Sequence, residues 1–268
     1  MRTLSVLLLV GCLGIHTVSE AATPKTILVV LAHPDDETLT GPLLAKYGRQ
    51  GIWVQLVIVT DGEKGVFPHA GIPAGPALAK VRAEEARCSC RALGIELPIL
   101  LGFNDGELGR LSRPPWEYLA QLDRQLRALF SRFRPDVVIT FGPEGAYGHP
   151  DHRLVGAVVT QLVQAGVDGA PTTLLYPGFP KDLLPISEQS GGLPWAPTDR
   201  RFLTVRVPYE TADLAATRAS LACHKSQFRA DEVESEIRWT HQALQGHVYL
   251  RPWFGAAETD DVFRVRIP

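Results

Sequence analysis

The chain has 268 residues, 45% of them apolar and 21% charged, with a formal net charge of -2. That composition is ordinary for one globular domain large enough to bury a full core. Without Lys/Arg blocks it carries no electrostatic footprint for nucleic acid or for an anionic membrane surface, so neither is expected as a partner.

The first residues read differently from the rest. Arg2, the apolar run Leu4 to Ile15 and then His16-Thr17-Val18-Ser19-Glu20-Ala21 have the three parts of a secretory signal, with cleavage expected after Ala21 and a single domain over 22–268. Leu9-Val10-Gly11-Cys12 also matches a bacterial lipobox, which makes a lipid anchor at Cys12 the alternative. Either way an exported protein is expected, and no later segment is long and apolar enough to cross a bilayer. Cys88, Cys90 and Cys223 follow, an odd number that does not suggest a disulfide framework; buried thiols are expected.

Lys25 to Ala32 is nearly all apolar, as a strand covered on both faces would be. A helix is expected over Thr38 to Gln50, a second buried strand over Trp53 to Thr60, and then a turn-rich loop from Asp61 to about Pro76. Pro42 falls in the first turn of that first helix, where its missing N–H does no harm. Ala77 to Leu93 reads as a helix stopped by Gly94, Pro98 to Gly102 as a short strand, and Asn104-Asp105-Gly106 as a turn. Leu119, Leu122, Leu126, Leu129 and Phe130 make one stripe on a helix over Trp116 to Phe133.

Asp136 to Phe141 is the next strand, followed by a glycine-rich loop, His149-Pro150-Asp151-His152 and a helix over Arg153 to Ala165. A strand over Thr172 to Tyr176 precedes a Pro/Gly/Ser-rich excursion from Pro177 to Arg200, placed to cover a site. Strand character returns at Phe202 to Val207. Helices are expected over Glu210 to Phe228 and Asp231 to Leu244, with a closing strand over Val262 to Ile267. Strands alternating with helices imply parallel βαβ units, so the expected fold is α/β, a Rossmann-like three-layer sandwich with a mostly parallel sheet.

His33-Pro34-Asp35-Asp36-Glu37 follows the first strand directly, and this much charge does not belong in a core. His33 and Asp36 lie three apart across a Pro-containing turn and can bend toward one point, a pairing that suits a borderline divalent ion. His149-Pro150-Asp151-His152 repeats the device after a different strand. In a parallel sheet the loops after neighbouring strands open on the same edge, which would bring His152 to His33 and Asp36. On the residues alone, Asp36 and Asp151 could equally be helix caps.

Together the two motifs resemble the PIG-L/LmbE-like family of zinc-dependent N-deacetylases. The resemblance runs from about Thr26 to Gln227, through Thr60-Asp61-Gly62-Glu63, Arg82, Glu85, Leu93-Gly94, Asp105-Gly106 and His224-Lys225-Ser226-Gln227. It departs at Thr40-Gly41-Pro42, where the family often has a second glycine. It implies zinc, with ferrous iron fitting the same ligands, held by His33, Asp36 and His152, and Asp35 as general base. It further implies that His149, as imidazolium, stabilises the tetrahedral oxyanion or protonates the amine, and that Tyr147 helps hold that oxyanion. The implied substrate is a small molecule or glycan carrying an N-acetylated amino sugar, with Arg82, Asp105 and His224 as candidate contacts. Arg82 with Glu85 also reads as a plain helix ion pair, and His224 as a buried, hydrogen-bonded histidine late in a helix. An amidase acting on another amide and a non-catalytic sugar-binding protein are the alternatives.

Overall fold

The computed structural model describes residues 24–109, 114, 116–183 and 195–266, so the expected signal and Cys12 lie outside the described residues. In chain order the main elements are β1 (Thr26–Leu31), α1 (Gly41–Arg49), β2 (Trp53–Thr60), α2 (Pro76–Leu93), β3 (Ile99–Phe103), α3 (Glu117–Phe133) and β4 (Val137–Thr140). A single turn α4 (Gly145–Gly148) then leads into α5 (Pro150–Gln164) and β5 (Thr173–Pro177). Two-residue strands β6 (Phe179–Pro180) and β7 (Pro197–Thr198) pair with each other before β8 (Val205–Pro208). Last come α6 (Thr211–Leu221), α7 (Ala230–Leu244) and β9 (His247–Pro252).

The seven-stranded sheet has the order β3-β2-β1-β4-β5-β9-β8. Strands β3 to β5 are mutually parallel, whereas β9 runs antiparallel to both β5 and β8. Helices cover the sheet, which is the expected α/β architecture. The runs Ile27–Leu31 and Val54–Thr60 are buried along their length because helices pack over the sheet, and this is why they read as continuous apolar sequence rather than alternation. The α3 stripe is buried through Leu122, Leu126, Leu129 and Phe130. Pro42 sits in the first turn of α1, as its missing N–H requires. Gly156 faces the Phe141 carbonyl so closely that a Cβ would collide with it, which lets α5 lie against the exit of β4.

Because β2 lies on one side of β1 and β4 on the other, the chain reverses its direction of progress across the sheet between β1 and β4. Loops leaving the carboxyl ends of these strands part there and open a crevice. His33 leaves β1 and the His149–His152 segment follows β4, so both motifs meet at that switch point.

Four expectations need correction. Helix α6 stops at Leu221, and His224-Lys225-Ser226-Gln227 form a turn rather than helix. The last strand is β9 over His247–Pro252. The alternating segment 262–266 instead carries a 3-10 turn at Val262–Arg264 and lies outside the sheet. The 177–200 excursion carries β6 and β7, with 184–194 outside the described residues. Cys88 and Cys223, with Cα atoms 5.7 Å apart, form a disulfide across 135 residues and leave Cys90 as the buried thiol. Spacing hid this pair because its two halves belong to different helical regions. Among the described residues no helix is long and apolar enough to cross a membrane.

Candidate metal centre and its surroundings

His33 Nδ1 lies 3.1 Å from His152 Nε2 and 3.5 Å from Asp36 Oδ2, and His152 Nε2 lies 3.2 Å from Asp36 Oδ1. Ligands 2.0–2.1 Å from a tetrahedral ion are separated from one another by about 3.3 Å, so this triangle has the dimensions of three ligand sites around one small divalent cation. All three side chains are buried.

Their ring orientations are fixed from behind. His152 donates Nδ1–H to the Gly145 carbonyl at 3.3 Å, which leaves the Nε2 lone pair for the centre, and its ring stacks on Phe141 at 3.9 Å between centroids. His33 turns Nε2 to Asp105 at 3.2 Å and Asp151 at 3.3 Å, leaving Nδ1 for the centre. Carboxylates behind a ligating imidazole hold its orientation and raise its basicity. Asp151 is itself held by the Gly106 N–H at 2.9 Å. Sequence reasoning gave Asp151 only a capping role; its function shows only in the contact with His33, 118 residues away.

The charge balance favours a cation at this spot. Burial opposes charge on His33, yet Asp105, Asp151 and Asp36 outweigh it and hold its pKa well above the usual value. Burial likewise opposes ionisation of Asp36, but His152 and His33 pull its pKa well below the usual range. Two imidazole nitrogens and a carboxylate suit zinc or ferrous iron. Zinc or ferrous iron held by His33, Asp36 and His152 would supply Lewis acidity toward a carbonyl oxygen and acidify water.

Asp35 stands beside this triangle on the same turn. Its Oδ2 accepts from Arg82 Nη2 at 2.9 Å, and its backbone has φ 107°, a left-handed conformation that non-glycine residues avoid. Burial pushes its pKa up to about 6, with Arg82 opposing and Asp36 adding to the rise. The turn is bound from below: Glu37 accepts from the Asp35 N–H at 3.1 Å, from the Ser89 hydroxyl and from His224 Nε2.

Arg82 is buried and donates to the carbonyls of Gly62 and Pro34 as well as to Asp35. It does not pair with Glu85, which instead takes the N–H and hydroxyl of Ser226. A Cβ at Gly62 or Gly65 would collide with the Arg82 guanidinium, so the glycines of this loop make room for it. Arg82 and Asp105 both line a polar cavity of about 360 Å³ that also presents Lys64, His149, Tyr147 and Gln227. His224 does not line it. That side chain is fully buried behind Glu37, so the expectation of a substrate contact is replaced by one of support.

His149 is the N-cap of α5. Its Nδ1 accepts from the Asp151 N–H at 3.2 Å, so the remaining proton of the neutral ring sits on Nε2. Its ring lies 4.7 Å from that of His33 and 4.6 Å from that of His152. Burial and these two imidazoles lower its pKa, so the resting form is neutral imidazole rather than the imidazolium expected from sequence. The Tyr147 ring stands edge-on to His152 at 5.2 Å, and burial with Asp36 and Asp35 raises its phenol pKa, keeping the O–H as a donor.

The family profile described as PIG-L, GlcNAc-PI de-N-acetylase, matches residues 28–163. The chain belongs to the PIG-L family. A 1D-myo-inositol 2-acetamido-2-deoxy-alpha-D-glucopyranoside deacetylase of Rhodococcus erythropolis is 36% identical over 187 residues, covering 63% of this chain and 64% of that protein. The chain spans about half to two thirds of the length of the first such relatives it matches. Among solved structures, the N,N'-diacetylchitobiose deacetylase of Pyrococcus horikoshii superposes with TM-score 0.62 at 22% identity, over 85% of this chain and 82% of that one. GalB, the 4-carboxy-2-hydroxymuconate hydratase of Pseudomonas putida KT2440, reaches the same TM-score at 18% identity, over 88% and 98%. At such identities these two share the fold with this PIG-L chain, and their different reactions show that the fold does not choose the chemistry.

Proposed function

We propose that this PIG-L protein is a metal-dependent hydrolase that removes an N-acyl group, acetyl in the simplest case, from an amino sugar or its conjugate. The observation that carries this reading is the triangle of His33 Nδ1, Asp36 and His152 Nε2 with a further carboxylate, Asp35, outside the triangle next to it on the same turn. The relatives named for deacetylating a GlcNAc-inositol conjugate support the same substrate class. Zinc is the proposed ion, with ferrous iron as the other that the donor set accepts.

An amide resists hydrolysis because its carbonyl is weakly electrophilic and its amine leaves poorly. In this reading Asp35 takes the proton of the attacking water, a task suited to a carboxyl whose pKa is raised toward neutrality. His149 Nε2–H and the Tyr147 hydroxyl donate to the oxygen where negative charge develops, in a partly buried setting that strengthens such bonds. Asp35 then returns its proton to the nitrogen as the C–N bond breaks. Arg82, Asp105, Lys64 and Gln227 face the sugar hydroxyls. A carboxylate poised as base has no use in a sugar-binding protein without activity, which weighs against that alternative.

We further propose that the protein works outside the cytoplasm. The apolar run Leu4 to Ile15 and the Cys88–Cys223 disulfide both support export, since disulfides persist in oxidising compartments. Mass spectrometry of the mature N-terminus tests it: a chain starting at Ala22 or lipidated at Cys12 is expected, and an intact Met1 would refute it. For the activity, the zinc-loaded protein is offered N-acetylglucosamine conjugates and free amine is measured; release by wild type but not by Asp35→Asn is expected. Full turnover by Asp35→Asn would refute the base assignment.

A further inference from the structure

A second cavity, of about 220 Å³, meets the polar one at the same turn; Asp35, Asp36 and Tyr147 line both. The walls of this second cavity are mostly apolar and rich in aromatic rings, with Thr38, Glu236 and Thr240 as further polar lining residues. Trp195 and Trp239 stack at 5.7 Å, Phe179 lies 5.0 Å and 5.3 Å from them, and the Tyr147 ring stands edge-on to Trp195 at 5.5 Å. Leu221 and Phe228 close the far side. Residues from β6, the flank of β7, α7 and the end of α6 assemble this wall, so it is a product of the tertiary fold and not of one motif.

We infer that this aromatic cavity receives the acyl chain of the substrate, and that the chain it is built for is longer and more apolar than acetyl. The inference rests on the hydrolase reading above and names its substrate class: amino sugars N-acylated with a medium alkyl or arylalkyl chain. A carbonyl carbon at the metal triangle has two substituents, the nitrogen and the acyl carbon, which diverge from it. The amine half, with its hydroxyls, needs hydrogen-bond partners, and Lys64, Arg82, Asp105 and Gln227 offer them in the polar cavity. The acyl half is then directed into the other cavity, where rings and Leu side chains predominate over the polar Thr38, Glu236 and Thr240.

Size argues the same way. A water's share of liquid volume is about 30 Å³, so the cavity holds roughly seven such volumes, whereas the methyl of an acetyl group fills about one. In the reaction the water oxygen bonds to the carbonyl carbon and the C–N bond breaks. The proton taken by Asp35 ends on the amine, and the products are a carboxylate with its chain in the aromatic cavity and a free amino sugar.

The test is a series of glucosamines carrying acetyl, butanoyl, hexanoyl and phenylacetyl groups, with amine release measured on the zinc-loaded protein. Expected is a rise in kcat/KM of about fourfold per methylene through hexanoyl, the equivalent of about 0.8 kcal/mol per buried CH2. In Trp239→Ala that slope should shrink. Amine release that is flat or falling with chain length overturns the inference while leaving the hydrolase reading intact. No release from any member overturns the hydrolase reading. In that event binding decides the inference: tryptophan fluorescence titrations of wild type and of Asp35→Asn should show binding of the hexanoyl compound about two-hundred-fold tighter than of the acetyl compound, four methylenes at about fourfold each. Equal affinities, or a larger gain for a diacetylated disaccharide, which would mark the cavity as a second sugar site, overturn it.

Discussion

His224 donates from Nε2 to the Glu37 carboxylate at 2.6 Å, and neither side chain is exposed. The two lie 187 residues apart in the chain, yet this bond fixes the floor of the turn that carries Asp35 and Asp36. Glu37 also accepts from Ser89, whose neighbour Cys88 is joined to Cys223, itself next to His224. Thus a disulfide and a buried ion pair brace one spot. Removing one partner of a buried pair costs about 3–5 kcal/mol. Glu37→Ala is expected to lose stability on that scale in urea unfolding and to lose activity through the turn; an unchanged midpoint would show that the bond supports nothing.

The same pair sets a pH dependence. Burial lowers the His224 pKa, but Glu37 more than compensates and leaves it raised; burial raises that of Glu37, but His224 leaves it lowered. Stability from a raised histidine is fully present below its unfolded pKa of about 6.5 and is lost as pH rises through the folded value. Stability from a lowered glutamate is present above about 4.5 and is lost as pH falls through the folded value. Metal-free protein is therefore expected to lose stability on the alkaline side. In Glu37→Gln that decline should be smaller, and identical curves for the two proteins in unfolding series from pH 4 to 9 would contradict the pairing.

Asp35 offers a separate pH test. Burial raises its pKa, and with Arg82 opposing the net value is about 6, so the acid limb of kcat/KM is expected near pH 6, or lower once a cation beside Asp36 adds to the pull. Arg82→Gln removes one positive charge and should move the limb upward. Asp35→Asn should lower kcat by about 10²- to 10⁴-fold while retaining zinc, since Asp35 is not one of the three residues proposed to hold the ion. Elemental analysis and a pH–rate profile check both statements.

Asp151 does not enter the ligand triangle, yet it orients His33. Losses of metal affinity or activity of about 10- to 100-fold follow when such supporting groups are removed, so Asp151→Asn is expected to weaken zinc binding by that factor in competition with a chromophoric chelator. His152→Ala should go further and leave no stoichiometric zinc. If Asp151→Asn held zinc as tightly as wild type, the contact would be incidental.

The Cys88–Cys223 bond closes a long loop across 135 residues, and loss of such a bond typically costs about 2–5 kcal/mol. Cys88→Ser with Cys223→Ser should lower the unfolding midpoint accordingly, and reductant should do the same to wild type but not to the double variant. Peptide mapping without reductant should recover the two cysteines linked.

What the sequence made legible was whatever is local. The buried strands β1 and β2 announce themselves as apolar runs, and the His33–Asp36–His152 triangle is contained in two short motifs, His33 to Glu37 and His149 to His152. The groups that support those motifs were not legible, because Asp151 meets His33 and His224 meets Glu37 only through the fold. The end of α6 was hidden for the same reason: past Leu221 the chain leaves the helix as His224 bonds Glu37 and Ser226 bonds Glu85. At the carboxyl end two segments, His247–Pro252 and 262–267, both have strand character. Only the packing of β5 and β8 decides that the first takes the place in the sheet.

The backbone of Asp35, at φ 107°, carries a consequence for anyone altering this protein. A side chain held in left-handed backbone costs of order 1–3 kcal/mol, and glycine would sit there at ease. A selection or redesign that scores only thermal tolerance would therefore tend to erase this carboxylate, trading turnover for robustness. Position 35 is accordingly the one to lock before any stabilising library is made.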